Sequence, residues 1–430
     1  MALGGATKMR SSKITLGILL VLILLIGAAF AWSWRPSIAP TSANEGMRAD
    51  RQTVAHGAAL AAIGNCNDCH TTDGGHPFAG GRPIPTPFGT IFASNITPDA
   101  DTGIGSWSEI AFLRAMRTGV DRQGRQLYPA FPYDHFTKTT DIDIHALYAF
   151  LMSQAAVRNE IPANKLAFPF NVRPIVAGWK VLFLREKPLE NDDSKSADWN
   201  RGRYLVEGLG HCGSCHTPRN ALGAERAHSA YAGGTAEGWT APPLNSSMAA
   251  AHKWTTDQLS EYLSTGWHRQ HGAAAGPMAD VAKNLSQASA HDVHAIAVYI
   301  ASLSGDGAGS TAPAPTDHPP PNAPAEVVAI YMGACANCHN NPGDVGPSKA
   351  LPLSLSAAVQ QPGSANAVRV ILHGIESYRS AGGPYMPAFD GMLTDKQIVA
   401  VAEYVRARYT NHPQWTDVQE QISTARQEGS

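Results

Sequence analysis

Apolar residues in this chain recur mostly at helical spacing, in short runs broken by glycine and proline. Residues 50–63 read as a first helix. Residues 107–117 read as a second, opened by Trp107-Ser108 and closed by Thr118-Gly119, with Phe112, Leu113 and Met116 facing a core. A third begins at Asp143 and puts Leu147, Phe150 and Leu151 on one face. The Gly/Pro-rich stretch 74–90 between the first two helices reads as loop, as does Tyr128-Pro129-Ala130-Phe131-Pro132-Tyr133.

The pattern then recurs. Ala232-Gly233-Gly234 echoes Ala79-Gly80-Gly81, Asn245 echoes Asn95, and Trp254-Thr255 echoes Trp107-Ser108. Ser264-Thr265-Gly266 echoes Arg117-Thr118-Gly119, and residues 292–300 echo 143–151, which marks an internal duplication. Between the copies, Ala167-Phe168-Pro169-Phe170-Asn171-Val172-Arg173-Pro174 and Trp179 form a connector, too apolar for a free linker, that is expected to pack across both units. Residues 305–325, with Pro319-Pro320-Pro321, read as a stiff, extended linker. A shorter third unit follows, with its last helix at 395–405. Beyond Pro413 a sparse stripe of Trp415, Val418 and Ile422 reads either as a surface or partner-contacting helix or as a solvated tail.

One run is apolar all round. Residues 14–32 carry no charge, follow Lys8, Arg10 and Lys13, and end among Trp32 and Trp34. That length spans ~30 Å of hydrocarbon, and the preceding cations keep the N-terminus in the cytoplasm. Ala29-Phe30-Ala31 offers a signal-peptidase site, but the run is longer than a signal core of about 7–15 residues, so an uncleaved anchor is favoured. Either reading exports the remainder. Charged residues make up only 16% of the chain, and the net charge of -2 implies no nucleic-acid partner.

Chemistry enters with Cys66-Asn67-Asp68-Cys69-His70, repeated as Cys212-Gly213-Ser214-Cys215-His216 and Cys335-Ala336-Asn337-Cys338-His339. C-x-x-C-H is the pattern of covalent c-type haem attachment: two thiols one helical turn apart add to the porphyrin vinyls, and the next residue offers imidazole to the iron. With 6 Cys and 17 His in 430 residues, about 0.003 such motifs are expected by chance. Structural zinc would need a second ligand pair within each unit, and a thioredoxin-like pair would need no histidine. All six cysteines fall inside the three motifs. Cys66, Cys69, Cys212, Cys215, Cys335 and Cys338 are therefore the expected attachment points of three haem c groups, with His70, His216 and His339 as axial ligands.

The expected fold class is mainly α: three tandem class I cytochrome c-like domains with long ordered loops, preceded by one N-terminal transmembrane or signal helix. The expected divisions are 1–45 for anchor and spacer, 46–190 and 191–304 for the first two domains, 305–325 for the linker, 326–412 for the third domain and 413–430 for the tail.

A haem that passes electrons needs a sixth ligand, and a methionine thioether raises its potential. The loop before the last helix supplies Met278 in Gly276-Pro277-Met278-Ala279 and Met386 in Gly383-Pro384-Tyr385-Met386-Pro387. In the first unit the same place holds Phe131, which cannot ligate iron. His135 is then the first choice, an open iron the next, and Met116 the last.

The chain resembles the triple-haem cytochrome c subunits of membrane-bound alcohol, aldehyde and related dehydrogenases. Thr86-Pro87-Phe88-Gly89-Thr90, Asn95-Ile96-Thr97-Pro98-Asp99, Trp199-Asn200-Arg201-Gly202, Gly276-Pro277-Met278 and Tyr385-Met386-Pro387-Ala388-Phe389 carry the likeness. The resemblance implies a subunit on the periplasmic side of the inner membrane that takes electrons from a large catalytic dehydrogenase subunit, of molybdopterin or quinoprotein type, with a small iron-sulfur or accessory subunit. It implies ubiquinone or a terminal oxidase as acceptor. Phe131 is closer to the molybdenum hydroxylase-type branch, acting on aldehydes or N-heterocycles. No catalytic base, nucleophile or Gly-rich cofactor loop stands out, so the chemistry belongs to the partner. The competing readings are a peroxidase-like enzyme using an open first haem, and a free-standing anchored shuttle. The purified protein is expected to stain for haem on a denaturing gel and to weigh three porphyrin increments more than the polypeptide; a mass equal to the bare polypeptide overturns the reading.

Overall fold

The computed structural model describes residues 20, 27, 31–41, 50–248, 253–305, 317–318, 322–340, 352–375 and 385–428. The expected anchor or signal run at 14–32 and the Pro319-Pro320-Pro321 linker lie almost wholly outside the described residues. Among the described residues no helix is long and apolar enough to cross a membrane.

The first segment is built on α1 (Arg51–Ile63), which starts because the Asp50 side chain accepts the Thr53 N–H at 2.9 Å. A one-turn helix, α2 (Cys66–Cys69), follows. Next comes a hairpin of β1 (Pro83–Thr86) and β2 (Gly89–Phe92), antiparallel with Ile84 opposite Ile91. Helix α3 (Glu109–Thr118) is capped by Ser108 and closed by Gly119 in the left-handed region at φ 62. The single turn α4 (Tyr133–Phe136) and then α5 (Asp141–Met152), capped by Thr140, complete it.

The connector does touch both neighbours. Its β3 (Lys165–Leu166) extends the hairpin through β2. Its helix α6 (Ile175–Phe183) sets Trp179 edge-on to Tyr133, while the indole N–H donates to the Leu222 carbonyl at 3.0 Å.

The second segment repeats the order: α7 (Ala197–Glu207), α8 (Gly213–His216), the hairpin β4 (Gly234–Ala236) and β5 (Trp239–Ala241), α9 (Thr256–Thr265), α10 (Pro277–Leu285) and α11 (Ala290–Ser304). Two expectations need correction. The first hairpin falls within and just after the stretch 74–90, where a loop is expected from the glycine and proline content. The second turns on Glu237 and Gly238, both at positive φ (49 and 75), as tight two-residue hairpins require. Met278 lies not in a loop but in the first turn of α10, because Pro277 sits where a helix needs no N–H donor.

The duplication extends to packing. Helix α1 crosses α5 at Gly57, where a Cβ would overlap the Ala146 carbonyl; α7 crosses α11 at Gly202, where a Cβ would overlap the Ala295 carbonyl. Beside each glycine a polar contact locks the crossing: a hydrogen bond between His56 Nε2 and Asp143 at 2.7 Å, and an ion pair of Arg201 Nε with Asp292 at 2.7 Å. The two cores also exchange a side chain. Leu209, fully buried, packs in the first cluster with Leu60, Phe112, Ile144 and Leu147. Ile63 packs in the second with Leu205, Val206, Leu259 and Ile296.

The third segment holds α12 (Ala325–Ala334), α13 (Ala336–His339), α14 (Ala365–His373), α15 (Asp395–Tyr409) and α16 (Val418–Glu428). Here both readings of the tail are overturned. Trp415, Val418, Ile422 and Ala425 are buried against Val368, Leu372, Ile398 and Ala402, so α16 is core. The stripe is sparse in sequence because each of its few apolar residues is fully used. Asn366 on α14 ties this segment to β5: it accepts from the Thr240 N–H at 2.8 Å and donates to the Thr240 carbonyl at 2.9 Å.

Gly202→Ala is expected to destabilise the protein by about 1–3 kcal/mol through overpacking at the crossing. Gly178→Ala, where a Cβ meets nothing within 4 Å, is expected to stabilise slightly, by about 0.4–1 kcal/mol. Urea titrations of the haem-loaded protein, followed by far-UV dichroism, compare the two; equal midpoints overturn the assignment of the crossing.

Candidate haem sites

Each Cys-x-x-Cys-His motif of the first two segments is delivered at the end of the helix that makes the close crossing. Asn65 turns the chain through the left-handed region at φ 53, and Cys66 and Cys69 then bracket one turn of α2. The His70 N–H closes that turn on the Cys66 carbonyl at 3.0 Å. In the second motif His211, at φ 37, takes the place of Asn65, and the His216 N–H bonds the Cys212 carbonyl at 3.0 Å. In the third, the His339 N–H bonds the Cys335 carbonyl at 3.0 Å.

The imidazoles are oriented the same way in the first two motifs. His70 Nδ1–H donates to the Ser94 carbonyl at 2.6 Å, and His216 Nδ1–H to the Pro242 carbonyl at 2.7 Å. A carbonyl only accepts, so the proton sits on Nδ1 and the lone pair on Nε2, the arrangement that an imidazole ligand of a metal needs. Burial pushes both imidazoles below the ordinary histidine value, only partly offset by those carbonyls, so they are neutral at pH 7. Their backbone carbonyls accept from Gly80 at 2.7 Å and from Gly233 at 2.9 Å, fixing the residue at its other end.

No disulfide joins any of the six cysteines. Burial pushes Cys66 and Cys212 up to about 12, and Cys69 and Cys335 up to about 11. Arg82 near Cys69 does not reverse this. None of these four thiols is activated as a nucleophile at neutral pH. A half-buried thiol pair one turn apart, followed by a neutral imidazole with a lone pair on Nε2, fits covalently attached haem.

The first two motifs are tied to each other. Arg82 donates to Asp68, inside the first motif, at 3.1 Å, and to Glu237, in the β4–β5 turn, at 2.8 Å. His211 Nε2 bonds the Gly64 carbonyl at 3.2 Å, one residue before Asn65. Burial, and then the charge of His135, push His211 down to about 4, so it is a neutral donor in that bond.

The other expected ligands fall in different surroundings. Met278 packs against the second cluster from the first turn of α10. Met386 is half-buried and held through both backbone polar groups by Ile375, at 2.9 and 3.1 Å; residues 376–384 of its loop lie outside the described residues. Phe131 stacks edge-on to Phe136 at 5.2 Å within the first cluster, and Met116 is buried there. His135 is engaged at both ring nitrogens: Nδ1 with the Glu207 carbonyl at 2.8 Å and Nε2 with Glu225 at 2.7 Å. Burial alone would lower His135, but the Glu225 carboxylate outweighs it and holds the imidazole above its ordinary value; Glu225 is correspondingly lowered. A doubly bonded imidazole paired with a carboxylate has no lone pair to offer iron in this arrangement.

Sequence reasoning passes over Ser94, Pro242 and Glu225. The first two act through carbonyls, which every residue has; only their places, shortly before Asn95 and Asn245, carry a signal. Glu225 meets His135 across 90 residues, with nothing in sequence to announce it. Asn95 and Asn245 are loop anchors: Asn95 bonds Thr97, Thr102 and Val157, and Asn245 bonds Ala230 and Ser247.

Comparison with known proteins identifies the family. Residues 322–405 match the family model of cytochrome c oxidase, cbb3-type, subunit III. The chain is 44% identical over 395 residues to one of the subunits of the nicotinate dehydrogenase of Pseudomonas putida; the match takes in 90% of this chain but only 33% of that protein, so the chain spans about a third of it. It is 34% identical to the gluconate 2-dehydrogenase cytochrome c subunit of Pantoea cypripedii, over 95% of both chains. It is 35% identical to the fructose dehydrogenase cytochrome subunit of Gluconobacter japonicus, over 84% of this chain and 80% of that one. With relatives matched nearly end to end, the chain belongs to the family of cytochrome c subunits of dehydrogenase complexes.

Proposed function

We propose that this chain is the electron conduit of a membrane-bound dehydrogenase complex facing the periplasm. It carries three haem c groups, one in each of three tandem class I cytochrome c-like domains. The observation that bears most weight is the shared orientation of His70 and His216, whose Nδ1–H groups are spent on carbonyls at 2.6 and 2.7 Å. His339 takes the same role in the third domain. Met278 and Met386 are the sixth ligands of the second and third haems. The distal side of the first haem, with Phe131 in the methionine's place, is the one left without a thioether.

Bound haem supplies one-electron storage in its iron, and the protein sets where and at what potential. The Ser94 and Pro242 carbonyls make each imidazole a stronger donor, which favours the ferric state, while a thioether favours the ferrous. The Arg201–Asp292 and His56–Asp143 pairs hold the helices that carry the motifs. The Asp68–Arg82–Glu237 bridge and the exchange of Ile63 and Leu209 keep the first two motifs at a fixed separation, so no domain motion intervenes in electron transfer between them.

The run at 14–32 seats the chain in the inner membrane, and ubiquinone is the acceptor. The donor is a large catalytic subunit, of molybdopterin or quinoprotein type, with a small iron-sulfur or accessory subunit. The likeness to part of a nicotinate dehydrogenase favours a partner that oxidises an N-heterocycle or aldehyde. The tagged chain, extracted in detergent, is expected to pull down a large subunit whose substrate reduces the haems; a chain that purifies alone, or haems that stay oxidised, sink the proposal.

The first haem has its own check. If His135 ligated that iron, His135→Gln would open it to carbon monoxide. Because both nitrogens are committed to Glu207 and Glu225, His135→Gln is expected to leave the carbon monoxide difference spectrum of the reduced protein unchanged. It should lower stability by about 1–3 kcal/mol through lost buried bonds. A new carbon-monoxide-sensitive fraction reinstates His135 as the ligand.

A further inference from the structure

The hairpin of β4 and β5 begins and ends on the histidine of the second motif. The Gly233 N–H, just before β4, donates to the His216 backbone carbonyl at 2.9 Å, and the Pro242 carbonyl, just after β5, accepts from His216 Nδ1–H at 2.7 Å. A Cβ on Gly234 would overlap the Cys215 carbonyl, so β4 lies directly on the motif. Neighbouring segments hold the rest of the hairpin. Arg82 donates to Glu237 in its turn at 2.8 Å, and Asn366 clasps both backbone polar groups of Thr240. An isolated two-stranded hairpin is marginal by itself; these attachments make this one a fixed frame.

That frame carries Trp239 to the other expected ligand of the same site. Trp239 opens β5 and is half-buried. Its indole lies against Gly276, where a Cβ would overlap the fused edge of the ring. Gly276 also holds φ 54 and ψ -143, a conformation that glycine alone adopts readily. The indole therefore abuts the backbone two residues ahead of Met278. Gly276 is the N-cap of α10 and gives that helix no side-chain capping bond. The first turn of a helix has backbone N–H groups without partners inside the helix, so it needs outside support to stay in place. Packing against Trp239 supplies that support.

The duplicated copy offers a contrast. Gly89 stands where Trp239 stands, as the first residue after a two-residue turn, paired with Thr86 as Trp239 is with Ala236. Strand β3 covers it, and a Cβ there would overlap the Lys165 carbonyl. No indole fits at that place, and the same segment has Phe131 where a methionine is expected. The copy with the methionine has the tryptophan; the other copy has neither.

We propose that Trp239 is a positioning residue for Met278, pressing the start of α10 into the place where the thioether serves as sixth ligand of the second haem. One hairpin then orients the histidine through Pro242 and the methionine through Trp239, in the manner of outer groups that aim metal ligands. The proposal rests on reading Met278 as that ligand.

The test uses the haem-loaded full chain in detergent and reads the charge-transfer band of thioether-bound ferric haem. Met278→Leu is expected to remove the second site's share of the band. Trp239→Leu is expected to remove the same share, with far-UV dichroism unchanged. Trp239→Phe keeps a ring on Gly276; it is expected to retain the band but to yield it to added imidazole at a several-fold lower concentration than the parent. Trp199→Leu removes an indole of the same segment from its contact with Tyr299, and is expected to leave both band and imidazole titration unchanged. A full band in Trp239→Leu, an unshifted titration in Trp239→Phe, or an equal loss in Trp199→Leu overturns the role of Trp239 while leaving Met278 as ligand. If Trp239→Leu does not fold, the Trp239→Phe titration decides. A full band in Met278→Leu removes the ligand itself, and the proposal with it.

Discussion

The first and last helices of each duplicated segment meet so closely that only glycine fits between them. Gly57 lies under the Ala146 carbonyl and Gly202 under that of Ala295. That contact fixes the first helix in place, and the Cys-x-x-Cys-His turn begins just beyond its end. Moving the helices apart by one methyl group would shift Cys66 and Cys212 against the histidine-orienting carbonyls of Ser94 and Pro242. The side-chain pairs beside the glycines, His56–Asp143 and Arg201–Asp292, follow the same geometry with different residues. The duplication has thus kept the crossing while exchanging the chemistry that holds it.

Much of this is legible in sequence, for identifiable reasons. Ser108 and Gly119 bound their helix as caps, and both act within a few residues of where they stand. The three haem motifs are likewise local: thiols and imidazole are specified within one short stretch each. What sequence hides depends on distance or on the backbone. The hairpins at 83–92 and 234–241 are held by ladder bonds, with Pro83 and Pro85 disguising the first as loop. The α16 stripe reads as sparse because its partners, Val368 and Ile398, lie well upstream. Spacing from Phe131 points to His135 as a ligand, while the hydrogen bonds it makes, to Glu207 and Glu225, reach into the next segment and have no trace in the local sequence.

The third segment is built differently. Among its described residues there is no paired glycine crossing; it gathers instead around Tyr331, whose hydroxyl meets that of Tyr409 at 2.6 Å, with Arg408 over both rings. Arg408 is itself held by Asp317, at 2.6 Å. A polar girdle of this kind, together with the added helix α16, replaces the tight apolar seam of the other two. The clasp of Asn366 on Thr240 ties it to its neighbour by paired bonds to the backbone.

The reciprocal placement of Ile63 and Leu209 bears on how the protein is made. Synthesis runs from the N-terminus, so Cys66 and His70 leave the ribosome long before Leu209, which plugs the core beside Gly64 and Cys66. Until then the first half has a hole in its interior and a spare isoleucine on its outside. Neither half can be finished alone, and a break in the gene between them would leave two fragments, each wanting the other's side chain.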